Sequence, residues 1–411
     1  MEGLRVWRRP VLLIVFFSAL AALPAGAQTL VTPGDAQRVN QLIDRGAGPQ
    51  RLNCSVKPLK PFLDFQFRFN AGFTIGCPLK LFAGKQSRLS TFIRVTPETG
   101  TPVLMEGADE IPALPADMAA TDTRKLNQDI ELSGEFSLGD GRYLVELVTI
   151  DDRERACLKT WKVDAVRRRG VQPTIILAHN AVEPTEFVPW DGKLEANGLR
   201  LTVLLDVAPI NPREQKLRAW DRAFLLDSLA ALLREVQCRS VRLVAFNLDQ
   251  QQELFRDERF TGGAEFDRLE KAMEHLELGT VSYTLLQQQQ GWVDMLFRQV
   301  NQEATAPEPA DAVIMLGPVT HWRLRVVNKA QMAAVRNSVE PAHFFRFEYS
   351  PLWTVFPDAL DTLTRSLGGT VLIFHSPQDL GQAIRKMQGK LKPAPETAVS
   401  GRWAPRAAPK P

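Results

Sequence analysis

Tyrosine is scarce in this chain, with 3 against 22 phenylalanines, and histidine (5) and cysteine (4) are nearly as thin. The histidines are His179, His275, His321, His343 and His375, and no two stand three or four residues apart. That spacing excludes a zinc helix of the HExxH kind, which needs two imidazoles on one helical face. Other chemical signatures are missing too. There is no G-x-S-x-G elbow, no GxxxxGK[ST] loop and no GxGxxG turn, so the usual serine hydrolase, P-loop and dinucleotide readings have no foothold. An excess of one charge sign is also lacking: the formal net charge is +3. Removing three arginines and Glu2 with the first 27 residues takes +3 to +1. Nucleic-acid binders concentrate a much larger basic excess on one face, so no nucleic-acid partner is expected.

Long apolar runs are absent after the first segment. There, Arg5, Arg8 and Arg9 precede the apolar stretch Val11–Ala22, and Ala25-Gly26-Ala27 offers a small-x-small cleavage site. This pattern predicts a signal peptide over 1–27, cut before Gln28. No later stretch approaches the roughly 20 apolar residues of a membrane span, so a secreted or periplasmic protein is expected. Export permits disulfides. Cys54, Cys77 and Cys157 fall in the first half, which predicts one bridge among them and leaves its pairing open. Cys238 reads as a packed, free thiol.

Taken in order, 28–50 is a polar segment with a short helix over 36–43. A β-rich domain follows over 51–165. FLDFQFRF (62–69) alternates with period 2 and predicts a half-buried strand whose Phe65, Phe67 and Phe69 share one face. Strands are also expected at 79–82, 89–95, 130–136, 142–151 and 157–163, with 97–122 as a long loop. Many short strands without helical period argue for a sandwich of immunoglobulin-like type. A linker over 166–198 carries Arg167-Arg168-Arg169 and a possible strand at 174–178. The second domain, 199–388, alternates apolar runs (201–205, 241–246, 312–316, 342–349, 370–374) with helical patterns near 218–236, 266–276, 292–300 and 378–387. That alternation predicts a Rossmann-like α/β domain with a mostly parallel sheet. Residues 389–411, rich in proline, alanine and basic residues, read as a disordered tail.

The chain is organised around LRLTVLLDVAPINP (199–212), a buried strand ending at Asp206 before a loop and helix. Ligands of open α/β sheets bind beyond the carboxyl ends of the strands. A divalent cation needs about six oxygens, yet Val207, Ala208, Pro209 and Ile210 offer no side-chain oxygen. The plain expectation is that Asp206 accepts backbone N–H groups of its own loop. His321, past the Gly317-Pro318 turn, is another strand-end residue and the motive for a hydrolase alternative with Asp206. The adjacent Asp151 and Asp152, with Glu154, read as a solvated turn. Phe344, Phe345, Arg346, Phe347, Tyr349 and Trp353 are denser than one core face requires and predict an interaction patch.

LTVLLDVAP, VRLVAFN, the Thr261-Gly262-Gly263 turn, ADAVIMLGP and GGTVLIFHSP together resemble a von Willebrand factor A-type domain, and the two-domain arrangement resembles secreted proteins of that kind from Acidobacteria. The resemblance implies a Mg²⁺ site built on an Asp-x-Ser-x-Ser motif, a threonine and a second aspartate. Asp206 matches the first position, Ala208 and Ile210 stand where the serines belong, and Thr261 matches the threonine. It therefore implies a vestigial metal site at Asp206 and Thr261. The expectation is a non-enzymatic scaffold with an unidentified protein partner and no cofactor; its alternative is adhesion assisted by weakly held Mg²⁺ or Ca²⁺.

Overall fold

Alternating apolar and polar residues build the first half of the chain into strands, and longer apolar runs build the second half into a helix-flanked sheet. The computed structural model describes residues 28–45, 50–82, 86–113, 129–166, 176–211, 214–278, 291–304, 306–321, 343–351 and 357–391. The signal-peptide segment, the arginine run, Trp353 and most of the tail lie outside them. Among the described residues no helix is long and apolar enough to cross a membrane. The chain divides into two compact units. The first takes the chain up to Phe62, then Phe69–Val166 and Leu177–Glu186; the second takes Leu63–Arg68 and the chain from Phe187 onward.

In the first unit, β1 (Thr29–Leu30) and α1 (Ala36–Arg45) precede β2 (Ser55–Pro58). β3 (Phe62–Leu63) crosses the division, and β4 (Phe69–Pro78), β5 (Ser87–Pro97), β6 (Val103–Ile111), β7 (Asp129–Leu138), β8 (Gly141–Asp151), β9 (Ala156–Ala165) and β10 (Val182–Pro184) follow. They form two sheets, ordered β1-β6-β5-β8-β9 and β10-β7-β4-β2. Every one of these neighbours is antiparallel. Phe73 of β4 meets Trp161 of β9, ring centroids 6.3 Å apart, so side chains of the two sheets pack on each other. Val39 and Ile43 of α1 pack with Val148 and Ala156. The bridge left open by the sequence joins Cys54 to Cys157. Cys77 is a free buried thiol, pushed up to about 11 chiefly by burial.

Three local expectations fail here. FLDFQFRF is not one strand: its ends belong to β3 and β4, and between them the chain reverses, the Asp64 N–H donating to the Arg68 carbonyl (2.8 Å) and the Phe67 N–H to the Asp64 carbonyl (3.1 Å). Phe67 takes a left-handed backbone with φ 63°. The Asp64 carboxylate closes the turn by accepting both the Arg68 N–H (2.8 Å) and its guanidinium Nε (3.1 Å). Period-2 apolarity arose because the turn is buried from Leu63 to Phe69, tip included, while Phe62 stays exposed. Residues 79–82 are a 3₁₀ turn, Leu79–Phe82. The supposed loop over 97–122 contains β6, whose half-exposed Glu106 and Asp109 and exposed Glu110 disguised it.

The second unit runs β11 (Leu199–Asp206), α2 (Ala219–Glu235), β12 (Cys238–Asn247), β13 (Gln252–Asp257), α3 (Ala264–Glu274), α4 (Gly291–Ala304), β14 (Ala312–Pro318), β15 (His343–Tyr349), α5 (Ala359–Ser366), β16 (Thr370–Phe374) and α6 (Pro377–Leu391). The sheet order is β13-β12-β11-β14-β15-β16. All neighbours pair in parallel except β13, an antiparallel edge that the sequence reading missed, as it missed α5. One face packs Leu204, Met315 and Phe344 under Met295 of α4 and Leu360 and Leu363 of α5. On the other face Phe224 of α2 stacks on Tyr349 at 4.4 Å, with Phe65 edge-on at 5.0 Å. Fully burying side chains of this size contributes about 1.5–3 kcal/mol each. Cys238 is buried and free, as its apolar surroundings suggested.

Candidate functional site

The strand order reverses between β11 and β14, and in such sheets the crevice outside the carboxyl ends at that reversal is the usual ligand position. Asp206 ends β11 there. Leu205 is in register with Leu316 of β14, and Gly317, the next residue, pairs with Glu348 of β15. Asp206, Gly317 and Glu348 therefore follow one another across three neighbouring strands. Side chains on a strand alternate between faces. Leu204 and Phe344 pack on the face covered by α4 and α5, so Asp206, Arg346 and Glu348 point to that same face. Only glycine fits between them: a Cβ on Gly317 would sit 2.8 Å from both the Asp206 Cβ and its carbonyl oxygen.

From α5 come two more carboxyls. Asp358 caps the helix, its Oδ1 accepting the Asp361 N–H at 2.8 Å, while Oδ2 accepts the Thr320 N–H at 2.9 Å. Asp361 lies one turn in. Arg346 is the guanidinium among them; its Nη2 donates to the Pro318 carbonyl (2.6 Å) and stands 3.6 Å from Asp358 Oδ2. Asp206, Arg346, Glu348 and Asp361 are all 0 % exposed and Asp358 is 1 % exposed. Among the described residues, no N–H or hydroxyl donates to either oxygen of Asp206, Glu348 or Asp361, the last two having only each other's carboxyl within hydrogen-bonding reach, and the Arg346 Nε and Nη1 lack acceptors.

Burial sets the protonation of this group. It pushes the Asp206 carboxyl up to about 8, with Arg346 opposing and Asp358 and Asp249 adding to the rise. Burial likewise takes Glu348 up to about 8, against Arg346 and with Asp361 and Asp358. Asp361 is raised by burial and then by Asp358. A carboxylate removed from water without a donor loses more solvation than a single neighbouring cation returns.

The expectation that Asp206 serves its own loop is corrected. Ile210 N–H goes to Asp221 Oδ1 of α2 (3.0 Å), the Val207 N–H to the Phe246 carbonyl (2.8 Å), and Asn247 Nδ2 holds the Val207 carbonyl (2.7 Å). Thr261 is not brought to Asp206. The Phe260 N–H bonds the Val241 carbonyl near the start of β12, and Val241 is in register with Leu201. Thr261 thus stands at the amino ends of the strands, while Asp206 lies five residues further along β11, about 16 Å at strand rise. Its hydroxyl donates to Glu265 at 3.2 Å. It lines a cavity of about 600 Å³ with Arg200, Arg239, Arg242 and Arg259. His321 is 48 % exposed and lies 3.4 Å from Asp249.

The aromatic patch is corrected as well. Phe344, Phe345, Arg346, Phe347 and Tyr349 are buried, because β15 lies between β14 and β16 and packs helices on both faces. Sequence reasoning missed Glu348, Asp358 and Asp361, although signals for them were present. Arg346 and Glu348 interrupt an otherwise apolar strand on a single face, and Asp358-Ala-Leu-Asp361 has the three-residue spacing of an N-terminal cap.

No protein-family description matches this chain. No curated protein matches it either. Among solved structures, a von Willebrand factor type A protein from Catenulispora acidiphila is 12 % identical, covers 61 % of this chain and 45 % of its own, and superposes with a TM-score of 0.28. A β-glucosidase from Listeria innocua in complex with glucose is 9 % identical, covers 28 % of this chain and 16 % of its own, with a TM-score of 0.16. A Bacteroides uniformis β-glucuronidase is 9 % identical over 77 % of this chain and 38 % of its own, with a TM-score of 0.16. This chain thus spans less than half the length of the first of them, and superpositions this poor carry no argument; the reading rests on the residues.

Proposed function

We propose that the protein is a non-enzymatic, exported interaction or scaffold protein: an immunoglobulin-like sandwich unit followed by a von Willebrand A-type unit whose first-strand metal motif is vestigial. The observation that carries the reading is Asp206. It is wholly buried, followed by Val207-Ala208-Pro209-Ile210, and closed over by Gly317. A carboxylate in that setting has neither hydroxyl co-ligands nor access to a substrate. The strand order and the position of Asp206 at its reversal support the A-type assignment, and the Cys54–Cys157 bridge supports an oxidising compartment. Adhesion through a cation shared by Asp206 and Thr261 loses its basis, since the two stand at opposite ends of the sheet. The hydrolase alternative needs Asp206 and His321 to cooperate, and His321 is engaged with Asp249 instead.

The test is fractionation of cells expressing the full chain, followed by intact-mass analysis and cross-linking in the envelope fraction. The reading expects a chain beginning at Gln28, oxidised at Cys54–Cys157, and cross-linked in fixed ratio to a protein partner. A reduced, full-length chain confined to the cytoplasm contradicts it.

A further inference from the structure

The carboxyl group cluster on β15 and α5 has an unbalanced composition that the scaffold reading does not use and on which it does not depend. Glu348, Asp358 and Asp361 each offer a carboxylate oxygen, and these oxygens all lie within 4.8 Å of one another. A hard divalent cation binds oxygens at about 2.0–2.6 Å, so two ligands on opposite sides of it are separated by at most about 5 Å. The spacing fits a shared ion without rearrangement of the strand or the helix.

The second observation is independent of proximity. Glu348 and Asp361 are wholly buried, and among the described residues no N–H or hydroxyl reaches either oxygen of either one; the two carboxyls face each other within hydrogen-bonding reach, which requires a shared proton or a shared ion. Buried polar groups in folded proteins are nearly always satisfied, and an orphan carboxylate points to an absent proton or ion. Arg346 does not balance the set: with Asp206, four carboxyls face one guanidinium, and its shortest bond goes to the Pro318 carbonyl. The positive end of α5 works against a cation, but the Asp358 carboxylate, which caps the helix by accepting the Asp361 N–H, offsets it. Neither histidine nor cysteine belongs to the cluster, so its chemistry selects oxygen-seeking ions over zinc.

We propose that Glu348, Asp358 and Asp361 bind a divalent, oxygen-seeking cation of the Ca²⁺, Mg²⁺ or Mn²⁺ class, as a structural ion at the carboxyl edge of the α/β unit. The ligand strand β15 is separated from that of Asp206 by β14, and the ligands do not include Asp206. Because the cluster is closed, the ion enters as the unit folds and leaves slowly, coupling metal to folding.

The test uses the full chain with its disulfide intact. It is unfolded in denaturant and refolded with EDTA or with millimolar Ca²⁺, Mg²⁺ or Mn²⁺, desalted, then assayed for bound metal and thermal melting. One of the three ions is expected to stay with the protein in equimolar amount and to raise the melting temperature by several degrees over the EDTA sample. Glu348→Gln and Asp361→Asn should each abolish retention, while Asp206→Asn should keep it. Should either ligand variant fail to fold, wild-type retention against EDTA still decides. The proposal is overturned if wild type holds none of the three ions and melts identically in EDTA, in which case Glu348 and Asp361 share a proton. Equal retention in well-folded Glu348→Gln and Asp361→Asn also overturns it, since the ion then sits elsewhere.

Discussion

The two ends of the parallel sheet in the second unit handle charge in opposite ways. At the amino end charges meet partners. Arg200 holds Asp311 at 2.6 Å, and Arg242 bridges Glu258 and the buried Glu303, which also accepts the Thr202 hydroxyl at 2.6 Å. At the carboxyl end Asp206, Glu348 and Asp361 are buried without an N–H or hydroxyl donor. The amino end is organised for stability. Orphaned carboxyls destabilise a fold, so their accumulation at the other end, where sheets of this order bind ligands, marks the place that stability alone does not explain.

The largest expected break in this contrast is Arg346→Met. It removes the guanidinium among four carboxyls and leaves them facing each other, which for a buried charge partner costs about 3–5 kcal/mol. Denaturant unfolding of the disulfide-intact chain checks it; a loss no larger than that of Arg200→Met erases the distinction between the ends.

Next comes pH, measured with chelator present. The folded-state pKa of Asp206 is raised from 3.8 to about 8, so between those values the folded chain holds a proton that the unfolded chain has released. Stability therefore falls as pH rises through that window, by about 1.4 kcal/mol per pH unit for one such proton. Asp227 on α2, raised to about 7 mainly by burial, adds to the same slope. Asp311 works in the opposite direction. Hydrogen bonds from Arg200 hold its pKa below the usual value, so its contribution is present above the unfolded pKa and is lost as pH falls through the folded one. Stability should peak in mildly acidic solution, and Asp206→Asn should flatten the decline toward pH 8, becoming more stable than wild type there.

Gly317→Ala sharpens the contrast on packing alone. The added methyl meets Asp206 backbone and Cβ at 2.8 Å, and overpacking of this kind costs about 1–3 kcal/mol; thermal melting reads it. The smallest effect belongs to Thr261→Ala at the amino end. Its exposed bond to Glu265 predicts a change within about 0.5 kcal/mol. A large loss there would show that Thr261 does more than meet Glu265.

The contrast also explains what was legible in the sequence. Apolar runs such as Val203–Leu205 and Val313–Leu316 are fully buried and announce themselves, so the parallel core strands could be placed from composition. Asp206 at a strand end was equally readable. Its relation to Thr261 was not, because TGG before a helix looks the same whichever end of the sheet it occupies, and the antiparallel β13 reverses the chain first. FLDFQFRF misled because burial on both sides of a turn imitates strand alternation. Phe344–Tyr349 misled because density of aromatics cannot separate a doubly covered strand from an exposed patch. The Glu348, Asp358 and Asp361 cluster needed register across β14 and a helix cap from 10 residues further on, which sequence spacing does not supply.

The most direct measurement is the titration of the Asp206 side-chain carboxyl carbon by ¹³C NMR in aspartate-labelled, chelated protein, assigned by its disappearance in Asp206→Asn. A buried carboxyl without donors predicts a midpoint near 8. A midpoint at or below the ordinary aspartate value, about 3.9, would mean that Asp206 is solvated or paired after all, and the difference drawn between the two ends of the sheet would collapse.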